Sequence, residues 1–305
     1  MKRRIWFPAV LLVLACASYS LGAEDKFFDS NGVKIHYIVE GEGEPVVLIH
    51  GFTADIDKNW RTGFAPGIPG PMIIPALAKK YRVIALDNRG HGKSDQPHDP
   101  KQYGKEMAED VVRLLDHLKI KKAHVIGYSM GGIITAKLLE THPDRLLSAT
   151  LGGHGGIREG DDSRSQFYDE LATSLEQGKG FGPLLAALTP AGRPKPTPEQ
   201  IEAINAGLMK ANDVQALAAA VRGFPGLAFD PKKLKANEVP TLAVIGELDP
   251  LKKGVNMLQK DAANLKVVIV PGADHMTTVS NPMFIKSLTE FLARHPASGE
   301  LKKAG

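Results

Sequence analysis

Ser129 lies in the segment VIGYSMGG (125–132), where an apolar run ends and a helical pattern begins. The five residues GYSMG (127–131) match the pattern G-x-S-x-G, in which the serine occupies a sharp turn from a strand into a helix. Small residues are needed on both sides because the chain nearly reverses there. Such a turn lifts the serine Oγ out of the sheet and leaves the amide of Met130 free at a helix N-terminus. Ser129 is therefore the candidate nucleophile, and the Met130 amide is a candidate donor to a developing negative charge.

A serine hydroxyl becomes a strong nucleophile only when a base takes its proton, and histidine is the most frequent base. The chain has ten histidines. His275 directly follows the last predicted strand, in GADHM (272–276), so it lies with Ser129 at the carboxyl edge of the predicted sheet. Other histidines have structural explanations, since His117 falls in a helical pattern and His142 precedes a helix-ending proline. We predict that His275 is the base.

The imidazole in turn needs a carboxylate to fix its tautomer and to stabilise its charged form. Asp249, in GELDP (246–250) after the preceding predicted strand, lies at the same edge of the sheet. Glu247 and Asp274 are alternatives on the residues alone. Asp274 is the least favoured of the three, because it adjoins His275 and neighbouring side chains on a loop usually diverge. Asp249 is the preferred acid.

The elements that position these residues follow from alternating β-rich and helical patterns, which predict an α/β fold with a mainly parallel sheet. The segment KFFDSNGVKIHYIVEG (26–41) predicts a hairpin with Asn31-Gly32 as its turn. Helices are predicted over 103–119, directly after Ser129, and from Asn281-Pro282 onward. Further strands are predicted at PVVLIHG (45–51), YRVIALD (81–87), AHVIG (123–127), SATLGG (148–153), PTLAVIG (240–246) and KVVIVPG (266–272).

A cap lobe is predicted over residues 156–235, where the β pattern disappears and four helices interrupt a core of residues 24–155 and 236–305. The segment TPEQ (197–200) predicts a capping box at the start of one helix. Asn212 is the predicted cap of the last. The predicted apolar stripes are Phe167, Leu171 and Leu175 on the first helix and Ile201, Ile204 and Leu208 on the helix after TPEQ.

The N-terminal 23 residues have the layout of a secretory signal, with three cationic residues, an apolar run from 5 to 17 and then small residues. We expect the protein to be exported to the periplasm or the cell exterior. Cleavage after Ala23 would release a soluble chain. Alternatively, VLAC (13–16) resembles a lipobox, and a lipid anchor on Cys16 would then be the one expected membrane contact. Cys16 is the single cysteine, so the mature chain would have no internal disulfide.

Composition and charge narrow the classes of function. The 305 residues include 43% hydrophobic and 24% charged residues, as in a globular chain with one large core. The net charge of +4 falls to +1 when residues 1–23 are removed, because that segment has three cations and no acid. This charge gives no electrostatic case for nucleic-acid binding, and no histidine or cysteine cluster has the spacing of a metal site. We expect a small-molecule substrate, no cofactor and no metal.

The chain resembles the α/β-hydrolase superfamily over nearly all of residues 24–305, and within it the serine esterases that have a helical cap. The resemblance implies a mostly parallel eight-stranded sheet flanked by helices. It also implies that Ser129 is the nucleophile, Asp249 the acid and His275 the base, in the chain order of that superfamily. The segments that carry the resemblance are His50-Gly51, DNRGHGKSD (87–95), GYSMGG (127–132), GELDP (246–250) and GADHM (272–276).

The resemblance extends to the residues around the triad. The amide of Phe52 would be the second oxyanion donor beside that of Met130, and residues 87–94 would form a shaping turn. The chain departs from the family pattern in the segment GFAPGIPGPM (63–72), where Trp60, Phe64 and the prolines form either an extra wall of the pocket or a rigid surface loop. The substrate pocket is expected to include His50, Gly51, Tyr128, His154 and Met276.

These expectations describe an exported serine hydrolase that cleaves carboxylic esters through an acyl-serine intermediate. The apolar helices of the lobe favour a small, largely uncharged substrate. Haloalkane dehalogenases and epoxide hydrolases are disfavoured because their nucleophile is an aspartate. Carbon-carbon bond hydrolysis, peptide hydrolysis and peracid formation use the same triad and stay open, as does ligand binding without catalysis.

Overall fold

A computed structural model describes residues 23–63, 70–194 and 196–297. The predicted signal sequence with Cys16, and Phe64 in the lengthened loop, lie outside the described residues. Among the described residues, no helix combines the length and apolar character needed to cross a lipid bilayer.

Eight strands form one sheet, in the order β1-β2-β4-β3-β5-β6-β9-β10. Strand β2 pairs antiparallel with β1 and with β4, and all other neighbours are parallel. The predicted mostly parallel eight-stranded sheet is therefore confirmed. The strands are β1 (Lys26–Asp29), β2 (Lys34–Glu40), β3 (Glu44–Ile49), β4 (Tyr81–Leu86), β5 (Ala123–Tyr128), β6 (Leu146–Gly152), β7 (Ile157–Arg158), β8 (Ala228–Phe229), β9 (Thr241–Gly246) and β10 (Leu265–Val270).

Helices cover both faces of the sheet. On one face α1 and α10 pack against strand residues such as Val46 and Val244, and on the other α2 and α3 pack against residues such as Val47 and Val125. Central strands are apolar on both faces because both are covered. The helices are α1 (Ile73–Leu77), α2 (Lys105–His117), α3 (Met130–Thr141), α4 (Ser165–Glu176), α5 (Gly182–Leu188), α6 (Pro198–Ala211), α7 (Val214–Gly223), α8 (Pro231–Lys235), α9 (Lys252–Asp261) and α10 (Pro282–Ala293).

The predicted lobe contains α4 to α7, and two of its sequence signals are found as predicted. Thr197 and Gln200 form the capping box of α6, with both reciprocal hydrogen bonds present. Helices α4 and α7 pack together, and Arg222 of α7 donates hydrogen bonds to Glu176 and Thr173 of α4. The paired helices bury the apolar stripe of α4 at Leu171 and Leu175.

Three details of the lobe differ from the predictions. A short parallel ladder between β7 and β8 closes the base of the lobe, although no β pattern was expected there. Asp213 rather than Asn212 caps α7, because its carboxylate accepts the amides of Gln215 and Ala216. Ile204 is 45% exposed, since α6 lies on the outside of the lobe with no buried residue.

Candidate active site

Ser129 alone forms the turn between β5, which ends at Tyr128, and α3, which begins at Met130. Its φ of 55° is a left-handed conformation that residues with a side chain rarely adopt, and it marks a strained turn. The Ser129 amide donates to the Gly152 carbonyl at 2.7 Å, and the Ser129 carbonyl accepts from the Ile133 amide at 3.1 Å. These two bonds hold the turn between β5, β6 and α3.

The glycines around Ser129 are required by lack of space. A Cβ on Gly127 would lie 1.9 Å from the Gly131 carbonyl oxygen, and a Cβ on Gly131 would lie 2.0 Å from the Ile49 carbonyl oxygen. Both obstacles are backbone atoms, which cannot rotate away as a side chain can. The small residues that the pattern predicts are therefore required here, because α3 begins in contact with both β5 and the end of β3.

The structure brings the three predicted catalytic side chains together. His275 Nε2 lies 2.9 Å from Ser129 Oγ, and His275 Nδ1 lies 2.9 Å from Asp249 Oδ2. A carboxylate can only accept, so Nδ1 carries the proton and Nε2 is free to accept from the serine. The other carboxylate oxygen, Asp249 Oδ1, accepts the amide of Leu251 at 2.8 Å. The acid is thus fixed at both oxygens, and both Asp249 and His275 are buried.

The two alternative acids are engaged elsewhere. Glu247 accepts the amide of Gly272 at 2.8 Å, and Asp274 accepts the amides of Met276 and Thr277 within its own loop. Neither carboxylate contacts His275 among the hydrogen bonds of the described residues. The geometry therefore selects Asp249.

Tyr128 was expected to line the substrate pocket, but it is not among the residues that line the cavity at Ser129. It contacts the candidate base instead. Its buried hydroxyl donates to the carbonyl of His275, and its ring lies 5.5 Å from the imidazole and 5.7 Å from the Phe284 ring. Burial raises the pKa of Tyr128 well above its usual value, so the phenol stays protonated and remains a donor. The residue before the nucleophile thus holds the loop of the base.

The predicted oxyanion donors lie at the ends of two neighbouring strands. Met130 is the first residue of α3, and Phe52 follows the end of β3. Within the part of the chain that the structure describes, neither amide has a backbone acceptor. Gly51 lies directly beside the nucleophile, since a Cβ on it would lie 3.2 Å from Ser129 Cβ. Two amides are therefore available to a negatively charged oxygen near Ser129.

Of the remaining predicted pocket residues, His50 holds a neighbouring loop in place and Met276 lies at the surface. His50 is buried and accepts the amide of Asn88 at 2.9 Å through Nε2, so it anchors the Phe52 loop to the chain after β4. Met276 is 48% exposed and does not line the cavity at Ser129. Trp60 is fully buried in the apolar layer with α1 and α10, so it is a core residue rather than a pocket wall.

A small cavity of about 50 Å³ lies between Ser129 and the lobe. An adjoining outer cavity of about 300 Å³ shares several of its lining residues, including His154. The lobe closes the inner cavity largely with apolar side chains. Its lining consists of Phe52, Ser129, Met130, Ile133, His154 and Leu251 from the core and Arg164, Phe167, Tyr168, Leu171, Leu184, Ala187, Leu188 and Phe224 from the lobe.

A profile of the alpha/beta hydrolase fold matches residues 44–282, most of the chain and every element of the site. The chain belongs to the α/β-hydrolase family. It is similar to the 2-hydroxy-6-oxo-6-(2'-aminophenyl)hexa-2,4-dienoic acid hydrolase of Metapseudomonas resinovorans, with 28% identity over 88% of this chain and 91% of that protein. It is also similar to the structure of an N-acyl homoserine lactone degrading enzyme, with 26% identity, a TM-score of 0.67 and coverage of 88% of this chain and 100% of that one.

The match to another relative of this hydrolase is partial. The chain is 35% identical over 167 residues to the dihydrolipoyllysine-residue acetyltransferase component of the acetoin cleaving system of Cupriavidus necator. That match covers 53% of this chain and 40% of the relative, so the chain spans less than half the length of that protein.

His154 is the polar core residue of the hydrolase that faces both cavities. Burial lowers its pKa to about 3, and the nearby charges of Arg164 and His275 act in the same direction. Its Nδ1 accepts the amide of Gly156 at 2.9 Å, which places the proton of the neutral ring on Nε2. His154 is therefore a neutral hydrogen-bond donor rather than a second base.

The turn after β4 shapes the site from below, as the family resemblance implied. Asp87 is buried, accepts the amides of Ile56 and Lys93, and lies 2.7 Å from His36 Nδ1. Burial raises the pKa of Asp87, but its hydrogen bonds and the nearby His50 outweigh that effect and the net pKa is lowered. The carboxylate thus holds the loops on either side of it and does not reach Ser129 in the part of the chain that is described.

Among the described residues, no group of three or more histidine, cysteine or acidic side chains is arranged to hold a metal ion. Sequence reasoning missed Arg164, Tyr168 and Leu184 of the lobe, although all three line the inner cavity. No motif marks them, and only the folded position of α4 and α5 brings them to Ser129.

Proposed function

We propose that the protein is a serine hydrolase of carboxylic esters that works through an acyl-serine intermediate. The observation that carries this proposal is a continuous hydrogen-bond network from Asp249 through His275 to Ser129, with both donor–acceptor distances at 2.9 Å. A base at hydrogen-bond distance from the serine, oriented by a buried carboxylate, is what nucleophilic catalysis by a hydroxyl requires.

The proposed reaction has two halves. In the first, Ser129 Oγ attacks the ester carbonyl while His275 Nε2 takes its proton, and the amides of Phe52 and Met130 stabilise the oxyanion. The tetrahedral intermediate then collapses, the alcohol leaves with the proton from His275, and the acyl group remains on Ser129. In the second half, water gives a proton to His275 while its oxygen attacks the acyl group. The second tetrahedral intermediate then collapses, His275 returns that proton to Ser129 Oγ, and the acid leaves.

The inner cavity supports a small acyl or alcohol group. Its volume of about 50 Å³ and its largely apolar lining favour an uncharged portion of substrate next to Ser129. The similar structure at 26% identity degrades N-acyl homoserine lactones, and a lactone is a cyclic carboxylic ester. We therefore include small lactones in the proposed substrate class.

A second candidate is carbon-carbon bond hydrolysis. The relative from Metapseudomonas resinovorans, a hydrolase of a hexa-2,4-dienoic acid, matches this chain along nearly its whole length. The same triad and oxyanion donors serve both reactions, so the site alone does not separate them.

Initial rates on p-nitrophenyl esters from acetyl to palmitoyl test the proposal, with Ser129→Ala as the matched variant. We expect rates that peak at short acyl chains and that vanish in Ser129→Ala. Ester turnover that persists in the variant would overturn the proposal. No turnover by the native protein would direct assays to 2-hydroxy-6-oxo-dienoic acids, peptides, peracid formation and ligand binding.

Export is also a proposal, based on the cationic and apolar layout of residues 1–23. Mass spectrometry of the protein recovered from its native cell would test it. A mature N-terminus at Glu24 supports cleavage after Ala23, a lipid-modified Cys16 supports the lipoprotein route, and an intact Met1 contradicts both.

A further inference from the structure

Arg164 is a cation that lines the cavity at Ser129. It is half-buried, lies at the start of α4, and lines both the inner cavity at Ser129 and the outer cavity. Its guanidinium carbon lies 5.8 Å from the centroid of the Phe167 ring. Among the described residues it has no ion pair and no side-chain hydrogen bond. A half-buried guanidinium is less well solvated than an exposed one, so a carboxylate that neutralises it would gain more than at a fully exposed arginine.

The other charged side chains at the outer cavity either have partners of their own or do not line the inner cavity. Arg158 is paired with Asp261 at 2.8 Å, and Asp161 accepts the amide of Ser163 within its own turn. Lys253 lines only the outer cavity. Of the described residues that line the inner cavity, Arg164 is therefore the one with a cationic side chain.

Two neutral groups with unused hydrogen-bonding capacity line the same two cavities as Arg164. His154 carries its proton on Nε2, and in the described part of the chain no side-chain or backbone oxygen accepts it. The phenolic oxygen of Tyr168 is buried and has no hydrogen-bond partner among the described residues. A buried polar atom without a partner is uncommon in a folded protein, so the Tyr168 hydroxyl would gain a hydrogen bond from a ligand group that reaches it.

We propose that Arg164, His154 and Tyr168 form a carboxylate-binding subsite, so that the substrate is an ester or lactone that also carries a carboxylate. One cation with two neutral donors matches a monoanion better than a dianion, and the planar guanidinium matches the two oxygens of a carboxylate. The proposal rests on the proposed ester hydrolysis and narrows its substrate class. The uncharged portion of the substrate occupies the apolar wall at Ser129, and the charge lies toward the outer cavity.

Matched substrate pairs test the subsite. On the acyl side, monomethyl glutarate is compared with methyl glutaramate, and on the alcohol side 4-acetoxybenzoate is compared with 4-acetoxybenzamide. Within each pair only a carboxylate is replaced by an amide of the same shape. We expect kcat/KM to be about 10- to 100-fold higher for the carboxylate in at least one pair, as for a hydrogen bond to a charged group.

Variants of Arg164, Tyr168 and Lys253 test whether the preference for the carboxylate substrate comes from the proposed subsite. Arg164→Gln should reduce that ratio to near one, Arg164→Lys should restore part of it, and Tyr168→Phe should lower it by a smaller factor. Lys253→Gln is the matched control and should leave the ratio within about twofold of the native value, because an exposed charge contributes little. Equal rates within both pairs for the native protein, or an unchanged ratio in Arg164→Gln, would overturn the subsite.

Calorimetry on Ser129→Ala distinguishes failure of the subsite from failure of the proposed function. If no ester is hydrolysed but Ser129→Ala binds monomethyl glutarate or 4-acetoxybenzoate more tightly than the matched amide, and adding Arg164→Gln removes the difference, the subsite stands and the esterase proposal falls. If esters are hydrolysed through Ser129 but the ratio and the binding difference are absent, the esterase proposal stands and the subsite falls.

Discussion

Strands β5 and β9 bury every one of their residues, whereas helices α5 and α6 of the lobe bury none. The candidate nucleophile and acid follow β5 and β9, whereas the candidate base follows the less buried edge strand β10. Close packing of the sheet holds the two 2.9 Å contacts between them. The lobe contributes most of the residues that line the cavity at Ser129, although α5 and α6 of the lobe have no buried residue. We therefore expect the geometry of Ser129, His275 and Asp249 to depend on the sheet, and the choice of substrate to depend on the lobe.

The largest expected effect concerns the acid at the sheet edge. Asp249→Asn should lower kcat/KM on p-nitrophenyl acetate by about 10⁴-fold, because the amide no longer holds His275 in the tautomer that accepts the serine proton. Glu247→Gln and Asp274→Asn are matched controls and should each change kcat/KM by less than about tenfold. A large loss in Glu247→Gln together with little loss in Asp249→Asn would contradict the assignment.

The next effect tests the packing of the sheet. Leu48→Ala, at a fully buried position of β3, should lower the free energy of unfolding by about 2–5 kcal/mol, since it leaves a cavity between covered faces. Urea denaturation followed by circular dichroism measures this loss. A change below about 1 kcal/mol would mean that the sheet relaxes around the cavity more readily than a close-packed core does.

Acid should destabilise the fold through two buried histidines, His91 beside the sheet and His154 beneath the lobe. Burial lowers the pKa of each to about 3, with further lowering by the nearby His50 in one case and Arg164 in the other. In the unfolded chain each imidazole takes up a proton below about pH 6.5, whereas the folded protein keeps it neutral to about pH 3, so stability falls as the pH falls.

The free energy of unfolding should fall by about 1.4 kcal/mol per pH unit for each of the two histidines as the pH is lowered from 6 to 4. Urea denaturation at several pH values measures the slope. His154→Gln should reduce it by the share of one histidine, and His142→Gln, at a half-buried surface position, is the control. An equal slope in His154→Gln and native protein would show that His154 is already charged or is not buried in solution.

The smallest expected effect is in the lobe. Ile204→Ala on α6 should change the free energy of unfolding by less than about 0.5 kcal/mol, because the side chain is 45% exposed. The same urea titration as for Leu48→Ala gives a direct comparison of sheet and lobe. A loss as large as that of Leu48→Ala would show that α6 is covered in solution.

The sheet and the triad could be predicted because the sequence contains apolar runs that end at recognisable turn residues. Buried parallel strands are continuous apolar runs, and Asn31-Gly32 gives both positive φ values of a tight turn. Ser129, Asp249 and His275 each follow such a run, so the rule that strand ends meet at one edge brings together residues far apart in sequence.

The lobe could be predicted only as a set of helices. The paired strands β7 and β8 have two residues each, too few for an alternating pattern. The apolar stripe of α6 does not indicate which neighbour covers it, and Ile204 of that stripe is 45% exposed. Arg164 belongs to no motif, and its place at the cavity depends on how α4 packs against α7, which is a tertiary property.

The bond from Tyr128 to the carbonyl of His275 joins two parts of the chain that are synthesised at different times. The base lies 146 residues after the nucleophile, in a loop that follows the edge strand β10. A ribosome that adds about 5–20 residues per second therefore produces Ser129 many seconds before its base. During that interval the hydroxyl is an ordinary alcohol and cannot attack the other chains or lipids around it. On the proposed mechanism, hydrolytic activity would begin only when β10 docks, so activity would report the completion of folding.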